Sequence, residues 1–261
     1  LWGMFKKVVV ADSLASHVDP IFNNYIHYSG GVLLLGLLYF SFQIYCDFSG
    51  YSDIAIGVAK LFGIEIMSNF KFPYFSRNIE EYWNRWHISL SSWFRDYIYI
   101  PLFDKIDDDD IIDKTLKYKK EGIKITLITF LVSGLWHGAN WTFIMWGFIH
   151  SMLYLPLFIF GSSNYTTNSV WDGKIFPSIS ELIKIFMTFF CVMISWVFFR
   201  SDTIINGFDY LIRIFSSFSL PSIHRSGMVL IFILLIFEYS FKDDERNPIN
   251  FENRFIRFLT Y

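Results

Sequence analysis

Charged residues are scarce in this sequence, and their scarcity is the first guide to its class. Asp, Glu, Lys and Arg together make up 18% of the 261 residues, whereas soluble proteins average about 25%. Hydrophobic residues reach 53% and aromatic residues 21%, with 31 Phe among them. A soluble core of this size could not bury so many rings, so we expect a lipid bilayer to surround much of the protein.

Several motifs that mark common classes of protein are also missing. The sequence has no G-x-x-x-x-G-K-[ST] loop, no G-x-G-x-x-G and no H-E-x-x-H, which argues against a nucleotide-binding fold and a zinc-protease site. It has no basic stripe, which argues against nucleic-acid binding. The two cysteines, Cys46 and Cys191, lie in apolar stretches and are predicted to be free thiols. We predict no metal site and no tightly bound cofactor.

Two long runs contain no Asp, Glu, Lys or Arg at all, one from Pro20 to Cys46 and one from Ile125 to Trp171. A membrane-spanning helix needs about 20 mostly apolar residues, so the second run is long enough for two helices. We expect those two helices to be separated near Gly138 to Asn140. The hydropathy pattern predicts membrane helices over residues 30–48, two within 125–162, one over 182–199 and one over 227–241.

The remaining segments mix charges with apolar residues. The stretch 52–66 holds three charged residues, which favours a half-buried or broken helix. The stretch 69–101 interleaves rings with charges, a pattern typical of amphipathic or re-entrant helices, and 104–122 reads as a charged, solvated loop. We therefore predict an all-α, polytopic membrane helix bundle with re-entrant or amphipathic helices, forming one domain over 1–261.

His137 stands alone in the stretch "GLWHGANW", inside the second uncharged run. A titratable residue at membrane depth is costly and often functional. Gly134 and Gly138 would allow a ligand or another backbone to approach closely. Burial favours a neutral imidazole, whose lone pair can accept a proton from a hydroxyl group. The alternative is a histidine that packs in the bundle and bonds a carbonyl, and we expect that structural role for His150, about 20 Å further along a continuous helix.

His87 lies in "YWNRWHISLSSWFRDY", where the simpler interpretation is an interfacial histidine among tryptophans. The neighbouring arginines favour a functional role, because an arginine beside a cavity can hold a phosphate or carboxylate. Arg95 and Asp96 could instead form an internal ion pair. We predict that His137 and His87 are catalytic. Substrate contacts are predicted for seven residues of the two motifs: Trp86, Arg85, Arg95, Asp96, Trp136, Asn140 and Trp141.

Asp47 and Asp53, in "YCDFSGYSDIAIG", leave two interpretations open. Asp53 could cap a helix, or both carboxylates could line the polar mouth of a cavity. Proton relay through His137 and Asp47 would make the protein a proton-coupled transporter. An inactive, structural membrane subunit is a third alternative.

Four stretches of the first 151 residues resemble the membrane-bound O-acyltransferase family, in the bacterial branch that includes alginate O-acetyltransferase and the teichoic-acid D-alanyl transfer protein. In the order of the family they are LWGMFKKVVVAD, FSFQIYCDFSGYSDIAIGVAKLFGI, NFKFPYFSRNIEEYWNRWHISLSSWFRDYIYIPL and SGLWHGANWTFIMWGFIH. Residues after 160 match the family only in hydropathy. The family's glycine-rich turn after YIPL is replaced here by Phe103, Asp104 and an acidic run.

The resemblance implies a helix bundle around a central tunnel, with His137 on the family's signature histidine and His87 on its second active-site histidine. It implies transfer of an acyl group, most often acetyl, from a thioester such as acetyl-coenzyme A or an acyl carrier protein. The acceptor would be a hydroxyl of an extracytoplasmic polysaccharide or cell-envelope glycan, reached directly or through an extracytoplasmic transferase partner. It also implies a multi-pass protein of the cytoplasmic membrane, and we expect this chain to lack part of the N-terminal region.

Overall fold

The structure, a computed structural model, describes residues 1–104, 114–160 and 177–240. These residues form helices and turns with no β-strand among them, which confirms the predicted all-α class. The helices are α1 (Trp2–Met4), α2 (Asp12–Asn23), α3 (Gly30–Leu61), α4 (Ile79–Trp83), α5 (Ile88–Phe94), α6 (Ile100–Phe103), α7 (Lys114–His137), α8 (Trp141–Phe160), α9 (Ile179–Arg200), α10 (Ile204–Ser216) and α11 (Gly227–Ser240), with π-helical segments at Phe5–Ala11 and Arg95–Tyr99 and 3₁₀ turns at Tyr25–His27 and Pro73–Phe75.

Within the described ranges, three helices are long and apolar enough to cross a bilayer: Gly30–Leu61, Trp141–Ile159 and Ile179–Arg200. The last helix, α11, is apolar but shorter. Large apolar side chains stand outward on α9, where Phe186 is 63% exposed and Leu182 is 50% exposed. Apolar faces of this kind are rare on soluble monomers, and they suit contact with lipid.

The helix α3 is longer than the sequence predicted. We expected a separate, half-buried or broken helix over 52–66, but α3 runs without a break to Leu61. Of the three charges that suggested a break, Asp53 has a partner on the N-terminal segment, and so does Asp47 just before that stretch. Lys6 pairs with Asp53 at 2.5 Å and Lys7 pairs with Asp47 at 2.6 Å, so a continuous helix can carry both carboxylates.

The N-terminal segment packs on α3 by direct backbone contact. A methyl group added at Gly3 would lie 2.6 Å from the carbonyl oxygen of Gly50. This approach is open only to residues without a Cβ atom. It brings Lys6 and Lys7 within reach of the carboxylates on α3.

The helices α7 and α8 form an antiparallel hairpin, joined at the predicted break between His137 and Trp141. Their backbones approach closely at two glycines, because a methyl group on Gly134 would lie 2.4 Å from the oxygen of Phe143 and one on Gly147 would lie 2.2 Å from that of Phe130. Small residues permit this packing in membrane bundles.

The predicted charged loop over 104–122 is helical in its second half. Residues 105–113 lie outside the described part of the chain, and α7 begins at Lys114. The sequence KTLKYKKEGIK is rich in lysine and other good helix formers, which explains why the helix starts before the uncharged run.

Short helices occupy the segment between α3 and α7, for which the mixed pattern of rings and charges predicted amphipathic or re-entrant helices. Asn78 caps α4 by accepting from the backbone N–H of Glu81 at 2.8 Å. The carboxylate of Glu81 accepts from Arg77 at 3.0 Å and from Arg85 at 2.5 Å. This network holds the segment that leads to His87.

Candidate active site

His137 is the last residue of α7, at the point where the chain breaks. Gly138 follows with a φ of 155°, a conformation that L side chains rarely adopt. Asn140 then caps α8, because its Oδ1 accepts from the backbone N–H of Thr142 at 3.1 Å. The glycine and the cap together fix the direction in which the His137 imidazole leaves the helix.

His87 lies at the joint between α4 and α5 and has a left-handed backbone, with φ 45° and ψ 54°. Such a conformation costs about 1–2 kcal/mol in a residue with a Cβ atom. Asn69 holds the joint, because its carbonyl accepts from the N–H of Ile88 at 2.9 Å and its side chain accepts from the N–H of Ser89 at 3.1 Å. Strained residues that the surrounding structure holds in place are concentrated at functional sites.

The two histidines line one cavity of about 750 Å³. Aromatic and aliphatic side chains form most of its wall, and its charged groups are those of Glu80, Arg95 and Lys119. Hydroxyl and amide side chains complete the lining: Asn84, Ser91, Ser92, Thr126, Thr129 and Ser133. Concave, mostly apolar sites with few polar groups are typical of ligand-binding pockets. The aromatic side chains of the wall are Phe48, Trp83, Trp86, Phe94, Tyr99, Phe130, Trp146, Tyr154, Phe158, Trp196 and Phe199.

Edge-to-face ring contacts connect the two histidines. The ring of Trp136 lies 6.4 Å from that of His87 and 5.0 Å from that of His137, centroid to centroid. His137 also contacts Trp146 at 5.2 Å and Phe199 at 5.0 Å. The imidazoles therefore belong to one ring cluster.

The seven predicted substrate contacts differ in where the structure places them. Trp86 is 5% exposed and lines the cavity. Arg95 also lines it, and its Nε donates to Asp96 at 2.8 Å. This is the ion pair that the alternative interpretation expected, but its side chains are 60% and 47% exposed, so the pair is not internal. Arg85 pairs with Glu81. Neither Arg85 nor Asp96 is among the described residues that line the cavity.

The remaining predicted contacts lie on the second motif. Trp136 touches both imidazoles but is 57% exposed, and Trp141 is 72% exposed. Asn140 caps α8 and donates to the carbonyl oxygen of Asp202 at 3.3 Å. These three residues lie beside the His137 turn without joining the lining that the described residues form. Their part in substrate binding stays a prediction.

The residues that form one side of the cavity were not among those predicted from the sequence. Trp83 comes from α4, and Trp196 and Phe199 come from α9, in the part of the chain that matched the family only in hydropathy. The cluster "SWVFFR" at the end of α9 is the signal that could have indicated them, since it places large rings beside the only arginine of that helix.

Asp47 and Asp53 lie away from the cavity, on the α3 face that meets the N-terminal segment. Hydrogen bonds to Asp12 and then to Asp47 raise the pKa of Lys7 above its ordinary value, so these charges stabilise one another. Among the described residues no group of three or more His, Cys, Asp or Glu side chains is placed to hold a metal ion. Both cysteines are free thiols.

Comparison with known proteins gives one family. The family model described as MBOAT, membrane-bound O-acyltransferase family, matches residues 21–199, which include both histidines. A peptidoglycan O-acetyltransferase of Helicobacter pylori is 36% identical over 209 residues, covering 80% of this chain and 36% of that protein. A probable alginate O-acetylase AlgI of Pseudomonas syringae is 41% identical over 202 residues, covering 77% and 35%.

A teichoic acid D-alanyltransferase of Streptococcus thermophilus is 34% identical over 155 residues, covering 58% of this chain and 36% of that protein. The chain thus spans about a third of the length of the relatives it matches. The names of these relatives describe acyl transfer to three different polymers.

Proposed function

This chain belongs to the membrane-bound O-acyltransferase family, and on that basis we propose that it transfers an acetyl or similar acyl group from a thioester to a hydroxyl of a cell-envelope glycan. The proposed donor is acetyl-coenzyme A or an acyl carrier protein. The proposed acceptor is an extracytoplasmic polysaccharide, reached directly or through a transferase partner outside the cytoplasmic membrane. The proposed location is that membrane, which the chain crosses several times.

In the proposed reaction, the neutral His137 accepts the proton of the acceptor hydroxyl while its oxygen attacks the acyl carbon. The carbon–sulfur bond then breaks, and the thiolate leaves with the proton that His137 carries. His87 holds the acceptor or donates a hydrogen bond to the negatively charged oxygen. General-base help of this kind contributes about 10²–10⁴ in rate, and exclusion of water by the ring-lined wall would limit hydrolysis of the donor.

The observation that carries this proposal is the shared cavity. His87 and His137 come from two motifs that are far apart in the sequence, and both line the same aromatic-walled space. A packing histidine would need no such space beside it. The names of the relatives support acyl transfer to an envelope polymer, and they differ in the polymer, so the acceptor has to be found by experiment.

The test replaces His137 with Ala in cells that carry this gene and measures ester-linked acetyl groups on the purified cell-envelope glycan. We expect the gene-dependent acetyl groups to disappear while the protein stays in the membrane at its normal level. His27→Ala is the matched control, because His27 is an exposed histidine in the Tyr25–His27 turn. Persistent acetylation in the His137→Ala cells would contradict the mechanism, and loss of the protein itself would favour a packing role.

The transporter alternative gains no support from the geometry. Its relay would need Asp47 beside His137, but Asp47 pairs with Lys7 and is absent from the cavity lining that the described residues form. Proteoliposomes distinguish the two functions. The transporter would carry protons without any acyl donor, whereas the transferase would not.

A further inference from the structure

His150 is a completely buried histidine that joins three helices beside the cavity. It lies on α8. Its Nδ1 is 3.3 Å from the indole Nε1 of Trp83 on α4, and its Nε2 is 3.0 Å from the Oγ of Ser195 on α9. Both ring nitrogens therefore have a partner from a different helix.

These partners determine where the single proton of a neutral imidazole lies. An indole N–H can only donate, so the Nδ1 of His150 accepts and carries no hydrogen. Ser195 gives its own proton to the carbonyl oxygen of Val192 at 2.6 Å, so its oxygen is left to accept from the Nε2–H of His150. Both ends of the network assign the same Nε2–H tautomer.

This arrangement removes His150 from proton transfer. An imidazolium has an N–H at each nitrogen, and the second one would point at the N–H of Trp83. Releasing the Nε2 proton would leave Ser195 facing an anion. The ring is thus held neutral and fully bonded, unlike the two histidines that line the cavity.

The network ends at the cavity wall. Trp83 lines the cavity and lies shortly before His87 on the same segment. The His150 ring also contacts the Trp146 ring at 4.7 Å, and Trp146 contacts His137 at 5.2 Å. One buried imidazole therefore contacts Trp146, which packs on His137, and Trp83, which precedes His87 on the same segment.

We propose that His150 is a positioning residue, whose Nε2–H tautomer ties Trp83 on α4 to Ser195 on α9 and so sets the cavity wall beside His87 and His137. This inference rests on the proposed function for its effect on rate. Its geometry stands apart from that function, because the tautomer follows from the three bonded groups alone.

Kinetics test the effect on rate in proteoliposomes, with radiolabelled acetyl-coenzyme A and purified peptidoglycan as probes. His150→Phe keeps a ring but removes both bonds, and we expect kcat to fall about 10- to 100-fold, since small misplacements near a reacting centre have effects of this size. The KM for acetyl-coenzyme A should change by no more than about twofold, because ground-state binding is retained. His150→Gln, whose amide offers one acceptor and one donor, should recover part of the loss.

A double variant shows whether His150 acts through Trp83. Trp83→Phe removes the indole N–H, so its combination with His150→Phe should be no slower than the slower single variant. Losses that multiply would overturn the proposal. Ser151→Ala is the control, because Ser151 is a buried neighbour whose hydroxyl donates only within its own helix, to Phe148 at 2.7 Å.

Nitrogen NMR of protein labelled at histidine tests the geometry without any substrate. The His150 ring should show a protonated Nε2 and an unprotonated Nδ1 at every pH at which the protein stays folded, and Ser195→Ala should alter that signal. A ring protonated at Nδ1, or one that titrates, would overturn the proposal. If the wild-type protein transfers no acetyl group to any glycan, the proposed function fails while the NMR result still decides the geometry.

Discussion

The Nζ of Lys6 lies 2.5 Å from the Oδ2 of Asp53, and this ion pair joins the π-helical segment Phe5–Ala11 to α3. The side chain of Lys6 is only 5% exposed, whereas that of Asp53 is 32% exposed. A buried ammonium group needs a partner, because its transfer from water is costly. The attachment of the N-terminal segment therefore depends on charge as well as on packing.

Removal of the carboxylate should weaken this attachment strongly. Asp53→Asn leaves Lys6 buried without its counter-charge, and breaking a buried pair in this way costs about 3–5 kcal/mol. Because Asp53 is partly exposed, we expect the lower end of that range. The free energy of unfolding, measured by denaturant titration in detergent micelles, checks the value.

The neighbouring lysine provides the control. Lys7 is 40% exposed and pairs with Asp12 and Asp47, so Lys7→Met should cost less than about 1 kcal/mol. Lys6→Met combined with Asp53→Asn should be more stable than Asp53→Asn alone, since no charge is then left unpaired. If Asp53→Asn and Lys7→Met lowered the free energy of unfolding by the same amount, the burial of Lys6 would have no energetic consequence.

A methyl group at Gly147 should separate α7 from α8. It would lie 2.2 Å from the carbonyl oxygen of Phe130, a backbone atom that cannot rotate away. We expect Gly147→Ala to cost about 1–3 kcal/mol, as overpacking does. Acyl transfer should fall by up to about 10²-fold, because His137 ends the displaced helix. Unfolding in micelles and transfer in proteoliposomes measure the two effects.

Gly57→Ala is the matched control on α3. Nothing lies within 4 Å of the position of its new methyl group, so the higher helix propensity of Ala should stabilise the protein by roughly 0.5–1 kcal/mol. Transfer should be unchanged. If Gly147→Ala and Gly57→Ala had the same stability and the same rate of acyl transfer, the close contact between α7 and α8 would have no effect on the active site.

The pH dependence of stability should include a contribution from His17 on α2. Burial, and then the charge of the neighbouring His224, lower the pKa of His17 below its ordinary value of 6.5. Below pH 6.5 the unfolded chain therefore binds this proton more readily than the folded protein does, so stability falls as the pH is lowered. Well above pH 6.5 both states are neutral at this residue, and the contribution is constant.

His17→Asn isolates that contribution. Its apparent melting temperature in micelles should fall less steeply than that of the wild type between about pH 6.5 and pH 5. The two proteins should differ by a constant amount at pH 8 and above. Parallel curves throughout the acid range would contradict the assignment of this proton to His17.

Two variants of His87 separate the effect of its left-handed backbone on stability from the effect of its imidazole on acyl transfer. Asn tolerates this conformation better than Ala does, so His87→Asn should be more stable than His87→Ala by up to about 1 kcal/mol. Both variants should lose most acyl transfer. A fully active His87→Asn protein would show that the imidazole has no part in the reaction.

The histidines could be predicted from the sequence because the residues that mark them are their neighbours along the chain. His137 interrupts a run without any charged residue, and Gly138 and Asn140 supply the chemistry of a helix end, so the break after α7 could be predicted and was confirmed. The helical class followed from hydropathy for the same reason. So did three of the five predicted membrane spans, whereas among the described helices α7 is not a candidate span and α11 is a shorter apolar helix.

The features that the sequence did not predict are mostly tertiary contacts. The carboxylates of Asp47 and Asp53 on α3 pair with Lys7 and Lys6 across the fold, and the sequence pattern of α3 does not show these contacts. Trp196 lies on a helix outside the four stretches that resemble the family, and only the cluster SWVFFR marks it. Arg85 is different, because its spacing of four from Glu81 is that of an ion pair on one helix face, and the sequence alone could have favoured that role over substrate binding.

The length of α3 has a consequence for the lipid around it. Its 32 residues measure about 48 Å at 1.5 Å per residue, and even a tilt of about 40° leaves a height of roughly 37 Å against a hydrocarbon thickness of about 30 Å. Asp47, Asp53 and Lys60 all lie in its second half, so we expect that end to lie among the lipid headgroups. Anionic phospholipids there would compete with Asp47 for Lys7. The strength with which the N-terminal segment is attached to α3 would therefore depend on the charge of the surrounding lipid leaflet.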